Sequence, residues 1–142
     1  MTISRILETK GRDVVTIQPH RRLSDAVALL AERRIGAVVV TGADGQVLGI
    51  LSERDIVRAL AAGSKALDDP LSRYMTAKVI TCTRDTLVVD AMEEMSDGRF
   101  RHLPVVEDGR LAGIISIGDV VKHRLAEIQN ETQALREYIT TA

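Results

Sequence analysis

Gly49-Ile50-Leu51-Ser52-Glu53-Arg54-Asp55-Ile56 and Gly113-Ile114-Ile115-Ser116-Ile117-Gly118-Asp119-Val120 are two versions of one eight-residue stretch. Each passes from a short apolar strand pattern into a helical one, with Ser at the junction and Asp three residues on. Serine is a preferred helix N-cap because its hydroxyl accepts from an orphan amide of the first turn. An acidic residue at the third helical position can reach back to the cap, although Asp is shorter than the usual Glu. That capping role explains one copy alone. A second role is open to the same groups: a helix N-terminus with free amides and a hydroxyl holds phosphate, while the carboxylate accepts from ribose hydroxyls. Two copies in matched surroundings favour the second role.

The surroundings are matched over most of the chain. Before the first copy, Val14-Val15-Thr16-Ile17 is β-branched and predicts a strand that Pro19 stops. A helix follows from about Ser24, with Ala26, Val27, Leu30 and Ala31 as its apolar face, Arg33-Arg34 in its last turn and Gly36 closing it. Ala37–Val40 is an apolar strand, Gly42-Ala43-Asp44-Gly45 a hairpin turn, Val47–Leu51 the returning strand, and Ser52 opens a helix to about Ala62. The order then repeats. Val79-Ile80-Thr81 predicts a strand, 87–96 a helix, 103–106 a strand, Asp108-Gly109 a turn and 111–115 a strand. Thr16 aligns with Thr81 and Asp25-Ala26 with Asp90-Ala91. Past the hairpin the offset shortens by one residue, pairing Gly45 with Gly109, Ser52 with Ser116 and Asp55 with Asp119. A turn absorbs such a change, and the pattern is an internal duplication.

The expected divisions are an N-terminal helix and lead-in (1–12), a first repeat (13–63), a polar linker (64–77), a second repeat (78–125) and a helical extension (126–142). Ile3, Ile6 and Leu7 share one face of the first helix, which Lys10-Gly11 ends. Within 71–75 one short helical turn is expected. In the last helix Val121, Leu125, Ile128, Thr132, Leu135 and Ile139 follow the spacing of a helix packed on a helix. Its cover is expected from a second subunit or from the N-terminal helix.

At 142 residues and 45% hydrophobic, the chain can bury one core or two half-sized ones. A net charge of -1 and only two Tyr, one Phe and no Trp exclude the broad basic or stacking surfaces of nucleic-acid binders. No apolar run approaches a membrane span, so no membrane contact is expected. The lone Cys82 fits a reducing compartment, and Met1–Arg5 lacks the apolar core of a secretion signal, so the expected address is the cytoplasm.

Two β-α-β-β-α units, each ending in Gly-hydrophobic-x-Ser-x-x-Asp, resemble a tandem pair of cystathionine β-synthase (CBS) domains. Arg99-Phe100-Arg101-His102-Leu103-Pro104-Val105-Val106 is similar to that family's second-strand signature. The resemblance covers about residues 2–125. It implies an α/β (α+β) fold: two repeats related by a pseudo-twofold axis, with three-stranded sheets face to face, commonly paired again into a homodimer. It also implies two clefts between the repeats that bind adenine nucleotides or relatives such as AMP, ATP, NAD(H) or S-adenosylmethionine. By the same resemblance Ser52 and Asp55 serve one cleft and Ser116 and Asp119, with Ile114, the other. Lead-in residues cross over, placing Gly11, Arg12, Asp13 and Val14 near Ser116/Asp119, and Lys78, Val79 and Ile80 near Ser52/Asp55. Ile35-Gly36 and Arg101-His102, ahead of the second strands, are implied to line the clefts.

A guanidinium can hold phosphate through two parallel bonds, which suits Arg101 for such a ligand; capping of the preceding helix is its other role. Gly36-Ala37 stands where the second repeat has Arg101-His102, and Val39 where it has Pro104, so the clefts are expected to be unequal. His20, His102, His123 and Cys82 lack short metal-ligand spacing, and Cys82 reads as a small packed residue rather than half of a nucleophilic pair with His102. No phosphate-binding Gly-Lys loop and no dinucleotide Gly-x-Gly-x-x-Gly turn is present. The expected function is a non-catalytic adenine-nucleotide sensor, with regulatory and energy-sensing roles passed to a separate effector protein. The rival is a constitutive dimerisation module with vestigial clefts.

Overall fold

A computed structural model of the chain describes residues 1–141. Helix α1 (Ile3–Lys10) precedes a first repeat of β1 (Thr16–Ile17), α2 (Leu23–Arg33), β2 (Ala37–Thr41), β3 (Val47–Ser52) and α3 (Glu53–Ala61). Two 3-10 turns, Ser64–Asp68 and Leu71–Arg73, lead to α4 (Val88–Gly98), β4 (His102–Glu107), β5 (Arg110–Ser116) and the long α5 (Ile117–Thr141). Strand β2 runs parallel to β1 and antiparallel to β3, and β4 pairs antiparallel with β5.

Alternation along the strands gives each repeat its own core. Val38, Val40 and Leu51 pack with Leu23, Ala26, Leu30 and Ile56 in the first. Leu103, Val105 and Ile115 pack with Val88, Ala91 and Met95 in the second. Ala37, Val39 and Pro104 are buried too, yet belong to neither core. They lie on the opposite sheet faces, which the repeats turn toward each other. Leu111 N–H donates to the Gly45 carbonyl and Arg54 to the Arg99 carbonyl across this division.

The expected symmetry fails at one place, and a proline explains it. In the first repeat Val39 N–H donates to the Val15 carbonyl, and Thr16 and Ile17 pair with Val39 and Val40. The residue matching Val39 is Pro104, which has no N–H to give. The strand expected over Val79–Thr81 therefore shrinks to one parallel bridge, Cys82 with Val105, and the second sheet has two strands rather than three. Cys82 still exchanges two backbone bonds, donating to Pro104 O at 2.9 Å and accepting from Val106 N–H at 2.8 Å. The first strand is also shorter than Val14–Ile17, beginning at Thr16.

Helices α2 and α4 are not closed by glycine. Arg34 (φ 55) and Arg99 (φ 56) both take the left-handed conformation at the matched C-caps, and Gly36 is left free to face the cleft. The expected linker is packed on the first repeat: Ala66 and Leu71 enter its core. Just beyond, Thr76 exchanges two backbone bonds with Ile50 of β3 at 2.9 and 3.0 Å. A Cβ on Gly49 would stand 2.8 Å from the Thr76 carbonyl oxygen, so only glycine permits that approach.

Helix α1 precedes the first repeat in sequence but completes the core of the second. Ile3, Ile6 and Leu7 are buried there, and Leu7 lies over Gly113, where a Cβ would come within 2.8 Å of it. With that face used, α1 leaves most of α5 uncovered. Val120 is buried, whereas Leu125, Ile128, Leu135 and Ile139 are 43–65% exposed. The expected seam therefore has no cover among the described residues; Ala142, the end of the expected extension, lies outside them. Among the described residues, no helix is long and apolar enough to cross a membrane.

Candidate functional site

Each strand-to-helix corner is a reciprocal cap. Asp55 N–H donates to Ser52 Oγ at 3.3 Å, and Asp55 Oδ2 accepts from the Ser52 N–H at 2.9 Å and hydroxyl at 3.1 Å. At the second corner Asp119 N–H donates to Ser116 Oγ at 3.1 Å, and Ser116 N–H to Asp119 Oδ2 at 2.9 Å. Asp55 keeps unused acceptor capacity, because a carboxylate offers about four lone-pair sites and only its Oδ2 is bonded to the cap. Capping and ligand binding are thus compatible.

A cleft of about 910 Å³ opens between the repeats over the first corner. It gathers Ser52 and Asp55, Gly36, the lead-in residues Lys78, Val79 and Ile80, and Arg101 and His102. These residues arrive from both repeats and the segment between, and Thr76 pinned to Ile50 fixes where that segment turns in. The volume lies within the range of small-molecule sites, ~300–1,000 Å³.

The charge of this wall departs from that of the chain. Arg54, Arg58, Lys78, Arg99 and Arg101 line it against only Glu53 and Asp55, in a protein of net charge -1. Arg99 closes α4 and also lines the cleft beside Arg101, so in Arg99 the capping and cleft roles coincide. Arg54 and Arg58, one helical turn apart, and Phe100 were not anticipated as lining residues. Helical spacing after Ser52 places the two arginines on one face. Phe100, the chain's one phenylalanine, has its position tied to Gly98, where any Cβ would overlap the ring.

The remaining candidates sit elsewhere. Ser116, Asp119, Arg12, Asp13, Val14, Ile35 and Ile114 do not line this cleft. Arg12 and Asp13 are exposed, Val14 and Ile35 half-buried. The second corner holds a side chain that sequence spacing did not reveal: Lys10 Nζ, 2.6 Å from Asp119 Oδ2 and 3.0 Å from the Ile114 carbonyl oxygen. Burial pulls the Asp119 carboxyl upward. The Lys10 and Ser116 bonds together outweigh it and hold the group below the usual carboxylate range.

His102 stands between the two corners. It is half-buried at the start of β4, pairs in register with Ser116, and lies where a Cβ on Gly36 would touch its ring at 3.6 Å. Burial, and then the Lys10 ammonium, lower its pKa, with Arg101 adding to them; Asp119 and Glu53 oppose. A histidine depressed in the folded state binds its proton less readily than in the unfolded chain. Its contribution to stability is present above the ordinary value near 6.5 and falls away as pH drops through the folded value. Urea denaturation of wild type against His102→Gln should show the wild type losing more stability than the variant on acidification below about pH 6.5; parallel curves would contradict this placement.

Among the described residues no group of three or more His, Cys, Asp or Glu is placed to hold a metal. Cys82 is buried in the second core and desolvation pushes its thiol up to about 12, so it is held as an inert thiol.

Comparison with known proteins identifies relatives of the chain. The family profile for the CBS domain matches residues 5–62 and 71–126. The chain is 35% identical to the mitochondrial CBS domain-containing protein CBSX3 of Arabidopsis thaliana, covering 97% of this chain and 71% of that one. A crystal structure of a CBS-domain-containing protein from Agrobacterium tumefaciens superposes with a TM-score of 0.84 at 51% identity, over 87% of this chain and 99% of the other. A CBS domain protein from Pyrobaculum aerophilum, solved in complex with AMP, gives a TM-score of 0.75 at 31% identity, over 84% and 89% of the two chains. A duplicated Ser-x-x-Asp corner, two cores joined across their sheets and these matches lead to one assignment: the chain belongs to the CBS-domain family, as a tandem pair.

Proposed function

We propose that the protein is a non-catalytic adenine-nucleotide sensor whose principal site is the cleft over Ser52 and Asp55. The observation that carries this reading is the composition of that wall. It joins a carboxylate at a helix N-terminus, suited to ribose hydroxyls, to five cationic side chains suited to phosphate. Phe100 offers an apolar surface for a base. The relative solved with AMP supports the ligand class. A cationic wall favours AMP, ATP or NAD(H) over S-adenosylmethionine, whose sulfonium and amine carry positive charge.

Ligand lodged between the repeats bridges them, and it shifts their relative geometry only by its difference in affinity for the two arrangements. The output then passes to a separate effector. The exposed seam of α5 supports a homodimer, with a second copy covering Leu125, Ile128, Leu135 and Ile139. That same seam favours the second reading, a dimerisation module whose clefts are vestigial.

Calorimetry with AMP, ATP, NAD⁺ and S-adenosylmethionine separates the two. The sensor reading expects phosphate-bearing ligands to bind, and more weakly as salt rises. Silence from every ligand, with the dimer intact by light scattering, would favour the constitutive module. Preference for S-adenosylmethionine would overturn the phosphate assignment.

A further inference from the structure

We infer that Lys10 is an internal ligand of the second corner, occupying the groups that a ribose would need and keeping that site closed while the first is open. The two corners are matched in sequence but not in what fills them. At the first, the edge of β3 is satisfied by backbone: Thr76 trades two bonds with Ile50, and Asp55 meets no cation among the described residues' ion pairs. At the second, the matching edge residue Ile114 gives its carbonyl to the Lys10 ammonium, which also pairs with Asp119 at 2.6 Å.

The lysine is well placed for this. It is the last residue of α1, and α1 is anchored by Ile3, Ile6 and Leu7 in the second core, so the stem starts from fixed backbone. Its side chain is partly exposed, at 34%, as is that of Asp119 at 26%. A charge-assisted bond is stronger than a neutral one, so it competes with sugar hydroxyls, and its partial exposure keeps its net worth small enough for it to be displaced. Lys10 therefore makes the tandem pair functionally single-sited at modest ligand concentration. Its ammonium, once freed, would face the phosphate of a ligand entering the second cleft.

The inference rests on the nucleotide reading above, and the test separates the two. AMP is titrated by calorimetry into wild type and Lys10→Met, which keeps the stem and removes the charge. One equivalent per chain for wild type and two for the variant is the expected result. One equivalent for both, or two for both, overturns the inference and leaves the nucleotide reading standing. Silence in both removes the nucleotide reading and the masking role with it. A ligand-free arm checks the contact itself: the charges of Lys10 and Arg101 lower the His102 pKa while those of Asp119 and Glu53 raise it, so the His102 ring should titrate higher by proton NMR in Lys10→Met. An unmoved His102 overturns the inference whatever calorimetry gives.

Discussion

Ile3→Ala lowers the stability of the folded chain by about 2–5 kcal/mol, the usual cost of truncating a buried aliphatic side chain to alanine. The thermal midpoint falls by on the order of 10 °C for a domain of this size. Ile3 is fully buried, and its backbone N–H donates to the Thr86 carbonyl at 2.9 Å, so no relaxation of the terminus can refill the gap cheaply. The effect belongs to the second repeat, because Ile3 packs with Val88, Met95 and Ile115 and not with the repeat that follows it in sequence. Exposed Arg5, two residues along the same helix, serves as the control and should change stability by less than ~0.5 kcal/mol when replaced by alanine. Denaturant melts of the two variants check this. Equal midpoints would mean that α1 is not part of the second core.

Asp55→Ala weakens AMP binding by about 10- to 100-fold, the range expected when hydrogen bonds to a charged acceptor are lost. Its capping role complicates the comparison, since Ser52 N–H and hydroxyl both donate to the same carboxylate oxygen. Loss of that cap costs about 1 kcal/mol of stability. Asp55→Asn separates the contributions: its amide oxygen can still accept from Ser52, so the helix start survives, while the charge offered to ribose is gone. An affinity loss shared by both variants, with stability lost mainly in the alanine variant, is the expected pattern. Unchanged affinity in both would show that the carboxylate is only a cap.

Much of this was legible in the sequence because it is local or repeated. Ser-x-x-Asp at a strand-to-helix junction announces a corner, and its recurrence announces a duplication; the cleft between the copies is implied only by the resemblance to tandem CBS domains. Periodicity alone finds Ala26 and Leu30 on the buried face of α2, whereas Val27 and Ala31, expected beside them, are exposed. Three features resisted for physical reasons. The missing strand depends on Pro104 lying opposite a backbone acceptor in another segment, which propensity within Val79–Thr81 cannot register. The Lys10–Asp119 pair joins residues at nearly opposite ends of the chain, and no spacing rule reaches so far. The place of α1 in the second core is likewise a long-range choice; its apolar face was evident, but not what it covers. Arg54 and Arg58 were within reach, since their spacing on α3 puts them beside the corner that Ser52 begins.

On the proposed function, the cleft over Ser52 and Asp55 grips the sugar and phosphate of an adenine nucleotide. The most direct test is a crystal structure of the chain grown with AMP. The expected complex has ribose hydroxyls within hydrogen-bond distance of the Asp55 carboxylate and the phosphate against Arg101 and its cationic neighbours. A nucleotide seated away from that wall, or a cleft that stays empty at saturating AMP, would contradict it.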